Sequence, residues 1–334
     1  MARRSLGVRV PRRRGEEARR RLREEGLLDT SLRPARMGEW IVFPVRGERG
    51  SLERVAGELG GSLVEGEFEE YSRPGRLEGP VKGYHVIGDI AVFSQTAGVG
   101  VEEYRRAALL LLERFPRIRS VWLKLRTEGD YRVPSLLHLA GEKRTHTVAR
   151  EYGLVFHVDI ARAYYNPRLA YEHRRVASMA VDGERILDMF TGVGGFALHA
   201  ASLARVEVVA SDLNPHAAML AARNAEANQK RLKGAVHVFR ADARLLPTIL
   251  EPGYDRVILN LPAASVEFTG VACSLASRPA TLHFYLLEAS CDGAESRVVQ
   301  ALEREGCRAS RVSCRRVLEY SPQEAVYAVD VGVG

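Results

Sequence analysis

From Glu184 onward the sequence alternates strand-type and helix-type segments, and this constrains the fold more than any other feature of the chain. The strand-type runs are RILDMF, VEVVASDL, AVHVFRAD, DRVILNL and LHFYLLE. The helical runs between them include GFALHAASLA, PHAAMLAARNAEANQ and AESRVVQALEREG. Such alternation predicts a parallel sheet with helices on both faces. Two further β-type runs, SRVSCRRVLEYS and EAVYAVDVGV, close the chain and suit a hairpin on the sheet edge.

The first strand runs into DMFTGVGGFA, where Gly192, Gly194 and Ala197 fit the G-x-G-x-x-A turn that lets a backbone approach a ligand closely. Asp212 ends the next strand, where a carboxylate meets ribose hydroxyls. A nicotinamide dinucleotide or S-adenosylmethionine would satisfy this much. Asp188 and Asp242 end two more strands. Each acid alone is an ordinary helix cap, but three at successive strand ends favour a cation-carrying ligand over a pyrophosphate. Asn214-Pro215 is a structural pair, an N-cap followed by proline at the first helical position. Asn260-Leu261-Pro262 ends the fourth strand on the same side, since ligands of open α/β sheets lie beyond the carboxyl ends of the strands.

Charge divides the chain. Residues 1–50 hold fourteen Arg, no Lys and seven acids, so they carry the whole formal net charge of +7. A basic module on a neutral body points to a polyanion, most simply nucleic acid. LGVRV and EWIVFPV are strand-like, GEEARRRLREEGLL has helical spacing, and the Gly- and charge-rich stretch after residue 45 has linker chemistry. The expected domains are 1–70, 71–160 and 161–334. In the middle one, GYHVIGDIAVFS is expected to be a strand with a glycine interruption, and GVEEYRRAALLLLERFP a helix. A further helix is expected to open near Pro167.

No apolar run approaches the length of a membrane span, and no secretory signal opens the chain, so the cytoplasm is the expected location. Cys273, Cys291, Cys307 and Cys314 form no C-x-x-C pair, and no metal site is expected. They read as buried thiols, with disulfides the alternative in a hyperthermophile.

Together, LDMFTGVGGF, ASDLNPHA, ADA and DRVILNLPAASVEF resemble the archaeal and eukaryotic tRNA (guanine-37-N1)-methyltransferases. The resemblance extends through GDYRVPSLLHLAGEKRTHTVAREYG and AYYNPRLAYEHRR to RRVLEYSPQEAVYAVDV, nearly the whole chain. It implies a class I, Rossmann-like α/β methyltransferase domain at the C-terminus, a middle α/β domain and a small basic N-terminal α/β domain. It implies S-adenosylmethionine as methyl donor and tRNA as partner, met at the anticodon loop and outer corner by a monomer. It places Arg132 on the catalytic arginine, Glu172 on the general base, and Asn260 and Pro262 on the target-base motif. Donor contacts fall on His173, Asp188, Phe190, Gly192, Gly194, Asp212, Leu213, Asp242, Ala243 and Asn260, and tRNA contacts on Tyr164 and Arg168.

Chemistry supports those roles. N1 of guanine carries a proton at neutral pH, so methylation needs a base, and a carboxylate in a partly desolvated cleft can serve. A guanidinium can stabilise the charge developing on O6. Against this, Glu172 sits three residues before Arg175, a pairing that a surface helix makes routinely. Lys143, Arg144 and Tyr165 add basic and aromatic character suited to a single-stranded loop. Two positions depart from the family pattern: Gly195 where proline is common, and Thr191 where alanine is common. Glu267 reads as a helix-start acid favoured by the dipole. The alternatives are aminocarboxypropyl transfer or bifunctional methylation in the wyosine-type tricyclic base pathway, an NAD-dependent dehydrogenase, and a non-catalytic RNA-binding protein.

Overall fold

A computed structural model describes residues 2–70, 81, 83–128, 133–321 and 323–334 in two compact units, Met1–Glu78 and Gly79–Gly334. Arg132, the expected catalytic arginine, lies outside the described residues.

The first unit runs β1 (Ala2–Pro11), α1 (Gly15–Glu24), β2 (Ala35–Met37), β3 (Trp40–Pro44), α2 (Arg49–Glu58) and β4 (Ser62–Glu69). Its antiparallel sheet has the order β2-β3-β1-β4. As far as residue 70, the stretch read as linker is therefore part of the module. Leu52, Val55, Ala56 and Leu59 recur at helical spacing and bury one face of α2 against Val8, Val10 and Leu22. Charged residues and glycines between them hide that stripe in composition. Gly61 lets the chain turn back onto β1, since a Cβ there would lie 2.0 Å from the Arg9 carbonyl oxygen.

The second unit opens with β5 (Tyr84–Ile87), β6 (Ile90–Ser94), α3 (Val101–Arg114), β7 (Ser120–Glu128) and β8 (Val133–Gly141), whose sheet order is β5-β6-β7-β8. The expected glycine-interrupted strand is a hairpin. It turns at Gly88, where φ is +58° and a Cβ would meet Thr147 Oγ1 at 2.2 Å. β9 (His146–Glu151) and β10 (Leu154–Asp159) form a separate two-stranded hairpin.

Then follow α4 (Ala170–Ala177), β11 (Arg185–Asp188), α5 (Gly195–Leu203), β12 (Glu207–Asp212), α6 (Pro215–Asn228), β13 (Ala235–Arg240), α7 (Leu246–Ile249), β14 (Tyr254–Leu259), α8 (Thr269–Leu275), β15 (Ala276–Glu288), α9 (Cys291–Arg304), β16 (Ala309–Glu319) and β17 (Ala325–Val333). The seven-stranded sheet has the order β13-β12-β11-β14-β15-β17-β16. It is parallel from β13 to β15, with the antiparallel hairpin β16–β17 at its edge as expected. The chain goes out one way from β11 and returns at β14, so the point where strand order reverses lies between them.

Asn224 and Asn228 of α6 tie down the small hairpin. Asn228 accepts from Val155 N at 2.9 Å and donates to Val155 O at 2.7 Å. Asn224 does the same for His157, at 2.7 and 3.1 Å. Both amides are fully buried, where only complete pairing of the backbone offsets desolvation.

The cysteines correct the thiol reading: Cys273 is bonded to Cys307 and Cys291 to Cys314. Among the described residues no helix is long and apolar enough to cross a membrane.

Candidate active site

The carboxyl ends of β11, β12 and β14 and the turn after β13 gather the residues singled out in the sequence. Gly192 and Gly194 adopt φ of +55° and +94°, the left-handed region that glycine enters without cost. Asp212 holds this turn from outside. Its two oxygens accept from Gly192 N at 2.8 Å and Asn214 N at 2.9 Å. Burial raises its pKa. Asn214 caps α6 through His216 N at 2.9 Å, as its sequence position suggested. Leu213 is 37% exposed, an apolar side chain presented beside the turn.

Asp188 is fully buried and, among the described residues, neither of its oxygens makes a hydrogen bond of good geometry, although the Thr191 hydroxyl and the N–H groups of Phe190 and Ala197 lie near enough to stabilise its charge in part. Burial pushes its carboxyl up to about 7, with help from the neighbouring Asp212 charge. Thr191 Oγ1 is buried beside it, also without a bond of good geometry. A buried acid with so little to stabilise its charge, next to the glycine turn, fits a ligand that carries positive charge, which would return the proton affinity towards normal. Asp242 is differently placed. It caps the short turn at Ala243–Leu245 and pairs with Arg244 at 3.1 Å, while Ala243 is buried. Phe190 meets Phe268 edge-on at 4.9 Å, and the Arg244 guanidinium lies over the same Phe268 ring.

Asn260 and Pro262 follow β14 directly, half-buried, and the Pro262 carbonyl accepts from Leu287 N at 3.0 Å. Glu267 is exposed in the first turn of a short helix, the bland role expected of it. The Tyr164 carbonyl oxygen would stand 3.5 Å from a Cβ on Gly192, so the segment carrying Tyr164 and Arg168 borders the glycine turn. Tyr164 and Arg168 are exposed. Arg144, named with Lys143 and Tyr165 for a loop-facing surface but individually expected to be an ordinary surface or packing residue, is tied to Asp89 and to Glu142. Tyr165 donates to Glu151 at 2.7 Å.

Glu172 is 2% exposed. It does pair with Arg175, as helical spacing allowed, at 2.7 Å. Three residues distant in sequence join it: Tyr285 Oη donates to Oε1 at 2.9 Å, Arg315 Nη1 donates to Oε2 at 2.9 Å, and Asp330 grips Arg175 at 2.6 Å. The network continues into the sheet. Asp330 accepts from His283 Nδ1 at 2.6 Å, and Arg256 donates to His283 Nε2 at 2.7 Å and binds Glu184 at 3.0 Å. Because Arg256 can only donate, His283 is neutral with its proton on Nδ1, in keeping with a pKa lowered by burial. Burial alone would raise the Asp330 carboxyl, but His283 and Arg175 hold it well below the usual range.

His173 is buried against Glu151, whose Oε2 accepts from His173 Nδ1 at 2.8 Å and from His199 Nε2 at 3.0 Å. Burial opposes ionisation of Glu151, yet these imidazole bonds bring its carboxyl down to about 2. The three groups have metal-ligand chemistry and lie within 4.8 Å of one another. His199 Nδ1, however, is buried without a partner, whereas a metal-bound imidazole keeps its second N–H on an acceptor. Hydrogen bonds to one carboxylate account for the cluster.

The family model described as the TRM5/TYW2 methyltransferase domain matches residues 147–313. The tRNA methyltransferase 5 N-terminal domain matches 7–53, and the TYW2 N-terminal domain 72–145. The tRNA (guanine(37)-N(1))-methyltransferase Trm5b of Pyrococcus abyssi is 31% identical over 98% of this chain and 99% of its own length. The chain belongs to the TRM5/TYW2 methyltransferase family. Membership resolves the ambiguity of the glycine turn against a dehydrogenase. A solved complex of aTrm5 with tRNALeu has a TM-score of 0.68 at 25% identity, covering 98% of this chain and all of that one. The tRNA 4-demethylwyosine(37)-methyltransferase Taw21 of Saccharolobus solfataricus is 32% identical, but over 61% of this chain and 77% of its own. Within this TRM5/TYW2 member, sequence reasoning missed Glu151, His199, Tyr285, Arg315 and Asp330. The available signal was a titratable side chain inside an otherwise apolar run, as at His199 and Asp330.

Proposed function

We propose that this protein transfers a methyl group from S-adenosylmethionine to N1 of guanosine 37 in tRNA. The observation that carries the reading is the likeness over full length to enzymes named for that reaction. Asp188, fully buried beside the glycine turn with its pKa raised by that burial, supports a cationic donor at that place. S-adenosylmethionine supplies a methyl carbon made electrophilic by its sulfonium.

The chain's own residues then have these tasks. The glycine turn, Asp188, Asp212 and His173 hold the polar end and ribose of the donor. Phe190, Leu213, Asp242 and Ala243 border its base. Asn260 bonds the guanine edge through its amide, and Pro262 forms a rigid wall for the ring once the base has left the anticodon-loop stack. Glu172 takes the N1 proton, and Arg132, on the resemblance alone, meets the charge on O6. Tyr164 and Arg168 contact the loop, and the arginine-rich first unit contacts the outer corner of tRNA. Action as a monomer is part of the same reading and rests on the resemblance alone.

Methyl transfer from labelled donor to a tRNA transcript tests the reading, with position 37 changed to another base as control. Label on the control transcript, or none on either, would reject it. Mass analysis of the modified nucleoside separates a methyl from an aminocarboxypropyl group. The partial coverage of Taw21 favours the methylation of guanosine itself.

A further inference from the structure

Glu172 as described cannot accept a proton. Oε1 receives Tyr285 Oη at 2.9 Å and Arg175 Nη2 at 2.7 Å, and Oε2 receives Arg175 Nε at 3.0 Å and Arg315 Nη1 at 2.9 Å. An ionised carboxylate offers about four acceptor sites, and donors fill them. A base whose lone pairs are occupied has to lose a donor before it can work.

The three donor residues differ in what holds them. Tyr285 is fully buried on β15. Arg175 is also bound to both oxygens of Asp330, at 2.6 and 3.2 Å, so its departure would leave that partly buried acid with His283 alone. Arg315 gives one bond from β16, a strand on the edge of the sheet, and its side chain is 35% exposed against 17% for Arg175. It reaches Glu172 across the exposed Tyr171 ring.

We propose that Arg315 is a displaceable latch on Glu172, which leaves the carboxylate for a phosphate oxygen of the incoming RNA and thereby frees Oε2. The inference rests on the reading of Glu172 as the base. A guanidinium released from a carboxylate seeks another anion with a pair of acceptor oxygens, and a phosphodiester is the one that RNA brings. With the latch open, Oε2 takes the proton from N1. The N1 electron pair forms the bond to the methyl carbon, and the carbon–sulfur bond breaks with its pair left on sulfur. Binding of RNA and unmasking of the base become one event. Arg315 is a positioning residue in this scheme, because it acts through Glu172.

The test is Arg315→Met, with Arg315→Lys as the variant that keeps the charge. The groups facing Glu172 are Arg175 from its own helix, Tyr285 from β15 and Arg315 from β16, with Asp330 of β17 behind Arg175. Removing one cation raises the proton affinity of the carboxylate. In kcat/KM, which reports the free enzyme, the acidic limb of the Met variant is expected at higher pH than in the unaltered protein. In kcat, which reports the loaded enzyme with Arg315 already gone from Glu172, the limb is expected to stay where it is. The salt dependence of tRNA binding should fall by about one phosphate contact in the Met variant and be kept in the Lys variant. Limbs that move together, limbs that both stay, or an unchanged salt slope in the Met variant would each overturn the latch. Wild-type rates in Glu172→Gln would overturn the base reading instead, while the salt slope still reports on Arg315.

Discussion

The His173 imidazole fills the space that a side chain on Gly195 would need: a Cβ there would lie 2.5 Å from His173 Cε1 and 2.6 Å from Nε2. The ring cannot swing aside freely, because Glu151 holds its Nδ1 at 2.8 Å and Phe196 lies edge-on at 4.7 Å. This accounts for glycine where the family pattern commonly has proline.

Gly195→Ala is accordingly expected to destabilise the protein by about 1–3 kcal/mol, the usual range for overpacking a filled site. It is also expected to weaken donor binding by displacing His173. The double variant with His173→Ala should lose less than the sum of the two single changes, because the clash needs both side chains. Chemical denaturation of the four proteins measures this, and strict additivity would show that the ring yields without cost.

Asp188 predicts a pH dependence of opposite sign for stability and for ligand binding. Its carboxyl titrates at about 7 when folded and near 3.9 when unfolded. The folded state therefore binds more protons, and the cost of burying the group grows as pH rises from about 4 to 7. That cost reaches on the order of 4 kcal/mol above pH 7. Asp188→Asn should raise the melting temperature at pH 8 and lose that advantage as pH falls towards 4. Donor affinity in the wild type should rise with pH through about 7, with proton release, because a cation favours the ionised acid. Calorimetry in two buffers of different ionisation heat reads the released proton, and the Asn variant should release none.

Glu172→Gln is expected to cost roughly 10²–10⁴ in the single-turnover rate, the ordinary contribution of a general base. Donor affinity should stay nearly unchanged, since the side chain bonds Arg175, Tyr285 and Arg315 and not the glycine turn. A large loss of donor binding would remove Glu172 from the chemistry.

Asn228→Ala leaves the buried backbone of Val155 without its two partners. A loss of about 2–4 kcal/mol is expected, with amide exchange at Val155 speeding up more than exchange within β11 or β14. Uniform acceleration across the unit would mean that the hairpin does not open by itself.

What the sequence revealed was the part set by near neighbours. The glycine turn, the Asn214 cap, the acids ending β11 and β12, and Asn260 after β14 all follow from local strand–helix alternation, and each is found at its strand end. The surroundings of Glu172 were hidden because Tyr285 and Arg315 stand 113 and 143 residues away. Only the pairing with Arg175, three residues on, was visible. Helix α2 was missed for a different reason. Gly50, Gly57 and the charged residues dominate its composition, while the four apolar residues that fix it are spaced, not clustered. The disulfides join cysteines 34 and 23 residues apart, which no local pattern pairs.

The run of groups from Glu184 through Arg256, His283, Asp330 and Arg175 to Glu172 has a consequence for how the protein can vary. With Arg315 at its end the run sets three acids, Glu184, Asp330 and Glu172, against three arginines, Arg256, Arg175 and Arg315, around the neutral His283, so neutral replacement of one charged member leaves an odd, partly buried charge, a cost of several kcal/mol. Acceptable changes come in adjacent pairs, acid together with base. Drift at Glu184 and Arg256 is thereby coupled, step by step, to the carboxylate at the far end, and the chain's history at these positions should read as joint substitutions.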